Sequence, residues 1–404
     1  MPVLDRSWNH ACSISEHGVG DSGLGTTAKR RAPLWARLCA VFGCSLMVIS
    51  GGTLVAGQSL ISKYTGDITN DALLDTDAAQ AGKKDIKGPL TILLVGIDPR
   101  KPTTPPLSDS ILIAHIPKDM STAYLFSIPR DLYVEIAADE KAGLRSHHAK
   151  INSAMANGSQ VNGKIDVVNG FKVLSKTITK YTGIKEFDAA AIINFGGFKE
   201  IVEALGGVSM KIDMDVKSEH LDPEGKQRPR LRSCPISGNC QHPYTGPQAY
   251  YKKSTKPVRL EPWQALDYVR QRYGFKGGPP MSDYDRQRHQ QQFIKAMAKE
   301  AMSKDVITDV GKMGKILEAA GESLTFAGGG NSPIEWAVAL KGVNVDDMVT
   351  IKLPGGGKFE QGTNDYLGEE FTQPELAQEF FDAVKADSVA QFLLDHPTLV
   401  NKDS

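Results

Sequence analysis

The chain has 404 residues, 41% of them hydrophobic, and its 47 basic and 47 acidic side chains cancel to a formal net charge of zero. A chain without net basic charge or a broad basic stripe is a poor nucleic-acid ligand, so that partner is excluded. Any local crowding of arginine then needs a local reason.

Residues 1–33 are polar, contain Gly and Ser, lack periodic apolar spacing and are expected to form a disordered cytoplasmic tail. Residues 34–62 are expected to be a transmembrane anchor, because residues 38–61 form a 24-residue run without a charge. A spanning helix needs about 20 such residues. A cleavable signal peptide has an apolar part of only about 7–15 residues, and more than 30 residues precede this run, which favours an uncleaved anchor. Lys29, Arg30, Arg31 and Arg37 stand before the span. Positive charge stays cytoplasmic, so everything from Lys63 onward is expected outside, in a single-pass plasma-membrane protein. Residues 63–88, with Asp67, Asp71, Asp75, Asp77, Lys83 and Lys84, read as a stalk. Residues 89–385 form the folded part, long enough for one large α/β domain or two, followed by an uninformative tail over 386–404.

Cysteine usage follows the same division. Cys12 falls in the tail and Cys39 and Cys44 in the span, leaving Cys234 and Cys240 as the only extracytoplasmic pair. A small loop-closing disulfide is the plain reading. Zinc would need more ligands than His242 supplies.

Three apolar runs open the folded part: residues 91–97 (TILLVGI), 110–116 (SILIAHI) and 123–128 (AYLFSI). Near-continuous apolar strands are covered on both faces. If the three form an antiparallel meander, one sheet edge gathers Asp98 at the end of the first, Asp109 at the start of the second and Arg130-Asp131 after the third. Carboxylates at neighbouring strand ends suit a hard divalent cation, which needs one or two of them plus phosphate oxygens and water. Taken alone, Asp98-Pro99 reads equally well as a turn. Arg130 and the later arginines tip the balance toward a site. His115, inside an apolar strand, reads as a core or edge histidine, and His147-His148 as loop.

Farther along, residues 161–181 read as helix, 188–195 as strand, 198–205 as a short helix stopped by Gly206-Gly207, and 208–214 as strand. Residues 217–258 are polar and aperiodic, a long surface excursion. Pro262 sits near the first turn of a helix that is expected to end before Arg270 and Arg272, since two residues apart cannot share one helical face. Another helix begins at Tyr284, with Arg286 and Arg288 near its start, where backbone N–H groups favour anions. Residues 373–384 read as an amphipathic closing helix. Arg270, Arg272, Arg286 and Arg288 thus fall within 19 residues. A solvated helix face would explain one Arg-X-Arg. Two such clusters flanked by Tyr268, Tyr273, Phe275 and Tyr284 point instead to a phosphate-bearing lipid or glycan, which planar guanidinium forks hold in pairs of oxygens.

These residues, in this order and behind one span, resemble the LytR-CpsA-Psr (LCP) family of bacterial envelope proteins. The resemblance rests on Leu94-Val95-Gly96-Ile97-Asp98, Ser108-Asp109-Ser110, Ser127-Ile128-Pro129-Arg130-Asp131, Lys150-Ile151-Asn152, Gln264-Ala265-Leu266, Val269-Arg270-Gln271-Arg272, and Asp283-Tyr284-Asp285-Arg286 through Gln290-Gln291. It implies an α/β fold with a mixed central sheet flanked by helices and an apolar groove for a polyprenyl chain. It also implies transfer of glycopolymers from polyprenyl-pyrophosphate carriers onto peptidoglycan. The metal ligands, for Mg2+ or Mn2+, would be Asp98 and Asp109. Catalytic, pyrophosphate-binding arginines would be Arg130, Arg270, Arg272 and Arg286. Arg288, Gln290, Lys150 and Asn152 are the further substrate-binding candidates. Two positions depart from the family pattern: Leu107 stands where an arginine is frequent, a loss Arg100 or Lys101 could cover, and His289 stands at another arginine position, with Arg288 beside it. Asp131 reads as a salt-bridge partner of Arg130 in preference to a general base. The alternatives are a phosphatase or pyrophosphatase acting on the same carriers, or a non-catalytic lipid-pyrophosphate binding or regulatory protein.

Overall fold

The computed structural model describes residues 71–74, 85–99, 101, 103–185, 187–234, 240, 242–303 and 310–401. The expected tail and anchor, and Arg100, lie outside them. Among the described residues no helix is long and apolar enough to cross a membrane.

The meander forms. Strand β1 (Leu90–Ile97) pairs antiparallel with β2 (Ser108–Ile116), and β2 with β3 (Tyr124–Ser127). The hairpin β4 (Tyr133–Ile136) and β5 (His147–Lys150) follows, so His147 and His148 lie in a strand and not a loop. The expected helix over 161–181 starts late, at Val167, because a hairpin takes its first residues. A short helix α1 (Asn152–Gly158) comes first, then a tight hairpin of β6 (Gln160–Val161) and β7 (Lys164–Ile165), and only then α2 (Val167–Thr182). Asn162 and Gly163 turn that hairpin at φ 50° and 75°, which Asn-Gly tolerates and most pairs do not. Asp166 then caps α2 by accepting from the Asn169 N–H.

Strand β8 (Ala189–Asn194), helix α3 (Phe195–Ala204) and β9 (Val208–Ile212) run close to their expected spans. The excursion after them is closed at its base by β10 (Val216–Lys217) against β11 (Tyr250–Tyr251), and tied by a disulfide between Cys234 and Cys240. Its last part forms β12 (Ser254–Leu260), paired with β9. That strand carries Pro257 and is buried only at Leu260, so it shows no apolar alternation to read. Next come α4 (Pro262–Tyr268), α5 (Asp283–Ala301), α6 (Val310–Ala320), β13 (Leu324–Ala327), α7 (Pro333–Ala339) and β14 (Val349–Ile351). A hairpin of β15 (Gly355–Phe359) and β16 (Tyr366–Phe371) precedes α8 (Pro374–Lys385) and α9 (Val389–Asp395).

The central sheet has the order β13-β8-β1-β2-β3-β14. The pairs β1/β8 and β3/β14 are parallel and the rest antiparallel, so the sheet is mixed, as expected. Both faces are covered. Leu93, Val95, Ile113 and Phe126 pack with Met155 of α1, Leu174 and Ile178 of α2, and Phe380 and Phe381 of α8. Leu90, Leu112 and Leu125 pack on the other face with Trp336, and Ile294 and Ala298 of α5 lie against them. Each fully buried large side chain contributes roughly 1.5–3 kcal/mol. Part of the expected stalk joins this core: Asp71–Leu73 forms a single 3-10 turn, and Leu73 and Leu74 are buried. The segment set apart as a tail does the same, with Val389, Leu393 and Leu399 buried.

Candidate active site

The sheet edge brings together what the meander requires. Asp98 follows β1, Asp109 opens β2 and Arg130 follows β3. Gly96 pairs with Ser110 and Ile97 with Ser108, which leaves Asp109 as the extra residue of a β-bulge. A bulge re-aims the side chain it displaces. Here Arg130 Nη1 donates to Asp109 Oδ1 at 2.5 Å.

Helix α4 ends at Tyr268 and frees the segment beyond it. Glu261 and Gln264 form a reciprocal capping box at its start, and Arg270 and Arg272 follow Val269, its C-cap. Arg270 lies 3.7 Å from Asp98. The first turn of α5 delivers Arg286, which is buried, contacts Asp283 at 2.9 Å and donates to the Asp109 carbonyl at 3.3 Å.

Three adjoining clefts result. The first, about 260 Å³, is lined by Asp98, Asp109, Arg130, Arg270, Arg272 and Arg286. The second, about 330 Å³, is apolar, with walls that include Leu94, Leu112, Ile193, Phe198, Phe293 and Met297. Ser110 and Gln290 line both, and the Ser110 hydroxyl donates to Gln290 Oε1 at 2.9 Å. The third, about 610 Å³, shares Arg130, Arg272 and Tyr273 with the first and adds Asp131, Asp283, Tyr366 and Glu369.

Charge in these clefts is set by burial and by neighbours. Burial alone would lower Arg130, but Asp283, Asp131 and Asp109 outweigh it and hold its pKa above the usual value. Arg286 is lowered, by burial first and by Arg130 and Arg272, against the pull of Asp283 and Asp109. His220, a wall of the first cleft, is pushed down to about 4 by burial and by Arg270, Arg272 and Arg228, so it is neutral at neutral pH. An anion entering the first cleft therefore meets guanidinium groups brought together at a cost that the anion itself relieves.

The structure sorts the remaining candidates. Gln290 stands at the junction of two clefts. Arg288 does not join the arginine cleft; it bonds Asp213 at 2.5 Å and Asp285 at 2.6 Å. Lys150 and Asn152 line none of the three clefts and instead hold Asp131, at 3.7 Å and 3.4 Å. With Arg130 Nε 4.0 Å away as well, Asp131 is a salt-bridge partner, as expected. The departure at position 107 leaves an exposed leucine outside these clefts, and His289 is fully buried against Asp213 and stacked on Tyr268. His115 is a core histidine bonded to Asp387. Glu369 and His220 carried no sequence signal, since neither belongs to a spaced motif.

Among the described residues no three His, Cys, Asp or Glu side chains gather as a protein-only metal cage. Asp98 and Asp109, both walls of the first cleft, fit a hard divalent cation that takes its other ligands from phosphate and water.

Known proteins share both the sequence and the frame. The teichoic acid transferase TagV of Bacillus subtilis, named for transfer from polyisoprenyl-teichoic acid to peptidoglycan, is 25% identical over 89% of this chain and 78% of its own. TagU of Halalkalibacterium halodurans, named for the same transfer, is 29% identical over 70% and 74%. In fold, the chain is similar to protein gbs0355 of Streptococcus agalactiae (TM-score 0.56, 20% identity, 78% of this chain and 91% of that one). It is likewise similar to B. subtilis TagV (TM-score 0.51, 22% identity, 74% and 98%). The sheet edge, the arginine segment and the apolar cleft all lie within residues 55–380, which match the LytR_cpsA_psr family profile, and the chain belongs to that family.

Proposed function

We propose that this protein is a glycopolymer transferase, moving a phosphate-linked glycan from a polyprenyl-pyrophosphate carrier to peptidoglycan. The observation that carries the reading is the junction at Ser110 and Gln290, where an apolar cleft opens into one lined by four arginines. A polyprenyl pyrophosphate has the same division, a hydrocarbon chain ending in dense negative charge. Its chain would run along Leu94, Phe198, Phe293 and Met297, and its phosphates would lie among Arg130, Arg270, Arg272 and Arg286. Fixed positive charge around a pyrophosphate stabilises the further charge that develops on the departing lipid phosphate. Asp98 and Asp109 would hold Mg2+ or Mn2+, which when bound would neutralise phosphate charge. An N-terminal span over residues 38–61 would keep the domain beside the carrier, on the extracytoplasmic side of the plasma membrane.

The test incubates the full chain, in detergent, with a short synthetic polyprenyl-pyrophosphoryl sugar and a peptidoglycan fragment, with magnesium and then with EDTA. A magnesium-dependent phosphodiester adduct is the expected product by mass spectrometry. Arg270→Ala and Asp98→Ala should each reduce it by about 10²–10³-fold. Free phosphate without adduct would make the protein a hydrolase, and donor binding without turnover would make it a carrier or regulator.

A further inference from the structure

The third cleft has no part in holding the donor, yet it touches the same arginines. Arg130 and Arg272 line it and the first cleft alike, so a pyrophosphate gripped by them is open to attack from this side. Its walls include the rings of Tyr273 and Tyr366 and the carboxylates of Asp131, Asp283 and Glu369. Aromatic faces that stack on C–H groups, beside acceptors for hydroxyl protons, suit a carbohydrate.

The three carboxylates are not equivalent. Asp131 is paired with Lys150 and Arg130 and takes a hydrogen bond from Asn152. Asp283 is paired with Arg286, lies 3.8 Å from Arg130 and accepts from Gln287. Glu369 is only 9% exposed, and its Oε2 is buried beside the Tyr284 hydroxyl. Among the described residues no cation pairs with it. Its backbone is fixed, because its N–H donates to the Asp131 carbonyl at 2.7 Å. Gly368 permits that approach, since a Cβ there would sit 2.4 Å from the same carbonyl oxygen.

We propose that the third cleft seats the acceptor sugar of peptidoglycan and that Glu369 removes the proton from its attacking hydroxyl. The inference rests on the transferase reading above. The hydroxyl oxygen attacks the glycan-linked phosphorus of the donor, forming the new P–O bond. The bond from that phosphorus to the bridging oxygen breaks, and lipid monophosphate leaves with the electron pair. The hydroxyl proton passes to the Glu369 carboxylate, which lines the cleft.

The groups facing Glu369 favour this role. Burial, then the negative charges of Asp283 and Asp131, push its carboxyl up to about 7, while Tyr284 and Arg286 pull the other way. Tyr366 from its own strand is itself pushed up to about 12, by burial first and then by Glu369, Asp131 and Asp283. Lys150 of β5 is engaged with Asp131 and with the Tyr366 ring, 4.7 Å away. A base near neutrality balances the ionised fraction against its affinity for the proton.

The experiment measures transfer by the full chain from the synthetic donor to a peptidoglycan oligosaccharide, across about pH 5–9, for the wild type, Glu369→Gln, Glu369→Asp and Glu370→Gln. Glu370 is the control, an exposed neighbour paired with Lys358 at 2.7 Å. Wild-type kcat should rise with pH through about 7, as the carboxyl loses its proton. Glu369→Gln should lose about 100-fold or more in kcat and the pH-dependent limb with it, at little change in donor KM. Glu369→Asp should keep the limb at reduced rate, and Glu370→Gln should match the wild type. Transfer by Glu369→Gln within about threefold of wild type, or a wild-type profile without the limb, would overturn the role of Glu369 and leave the transferase reading intact. Absence of any adduct with the wild type would overturn both.

Discussion

Arg286 and Arg288 stand two positions apart and do unrelated work. The sequence shows two identical guanidinium groups near a helix start, and only the helix separates them, by roughly 200° around its axis. Arg286 reaches the strand-end site, while Arg288 closes a buried network around Asp213, which also bonds His289 at 3.2 Å and Gln292 at 2.9 Å. Burial opposes ionisation of Asp213, but His289 and Arg288 outweigh it and hold its carboxyl well below the usual range. Asp213→Ala would leave Arg288 and His289 facing an empty buried position. Removing one partner of a buried ion pair costs about 3–5 kcal/mol, which urea denaturation should report. Because Arg288 lies outside the donor clefts, donor affinity of the folded variant should stay within about threefold of wild type. Arg130, Asp98 and Asp109 were legible because strand order alone places them on one edge. Glu369 was not, because its role depends on which buried acid lacks a cation, a property of packing and not of spacing.

At the scale of elements, the strands were easier to read than the connections. Unbroken apolar runs gave β1, β2 and β3, whereas the end of β6 and all of β7 were taken into the helix expected over 161–181, because Val161 and Ile165 fit a helical period with Val168. The excursion after β10 was read as mere surface, yet Glu219, His220, Cys240, Pro243 and Tyr244 wall the arginine cleft. The disulfide expected from the compartment argument is therefore placed where it shapes a site. Cys234 and Cys240 are six positions apart, and so short a loop contributes only about 2 kcal/mol through chain entropy. A Cys234→Ser, Cys240→Ser double variant should keep a melting temperature within several degrees of wild type. Its donor KM should nevertheless rise several-fold, because the loosened wall no longer fixes His220 and Tyr244 beside Arg270 and Arg272. Equal donor KM in the two proteins would mean that the wall is held by its other bonds, chiefly Arg228 to the carbonyls of Glu219 and Gly246.

Across the whole molecule, the domain closes on itself through the segment that composition made look dispensable. Asp387 accepts from His115 in β2 at 2.9 Å and from the Lys118 N–H at 3.0 Å, bringing the end of α8 back to the second strand of the sheet. Beyond it, Val389, Leu393 and Leu399 are buried in the main core, and Asn401 donates from Nδ2 to Gln291 Oε1 at 3.0 Å. Gln291 is a residue of α5, one position from Gln290 at the junction of the donor clefts, and its own Nε2 donates to Ser127 at the end of β3. The last residues thus brace the helix and strand that carry Arg286 and Arg130. A chain ending at Ala386 would lose three buried aliphatic side chains at roughly 1.5–3 kcal/mol each, on the order of the net stability of a domain. It should unfold at least 10 °C lower by calorimetry, or fail to fold cooperatively. Asn401→Ala alone removes the brace without the aliphatic burial. That variant should lose about 1–3 kcal/mol and, if the brace positions α5, show weakened donor binding as well. A normal melt for the truncated chain would place the end of the domain at α8, and make the segment after it an appendage.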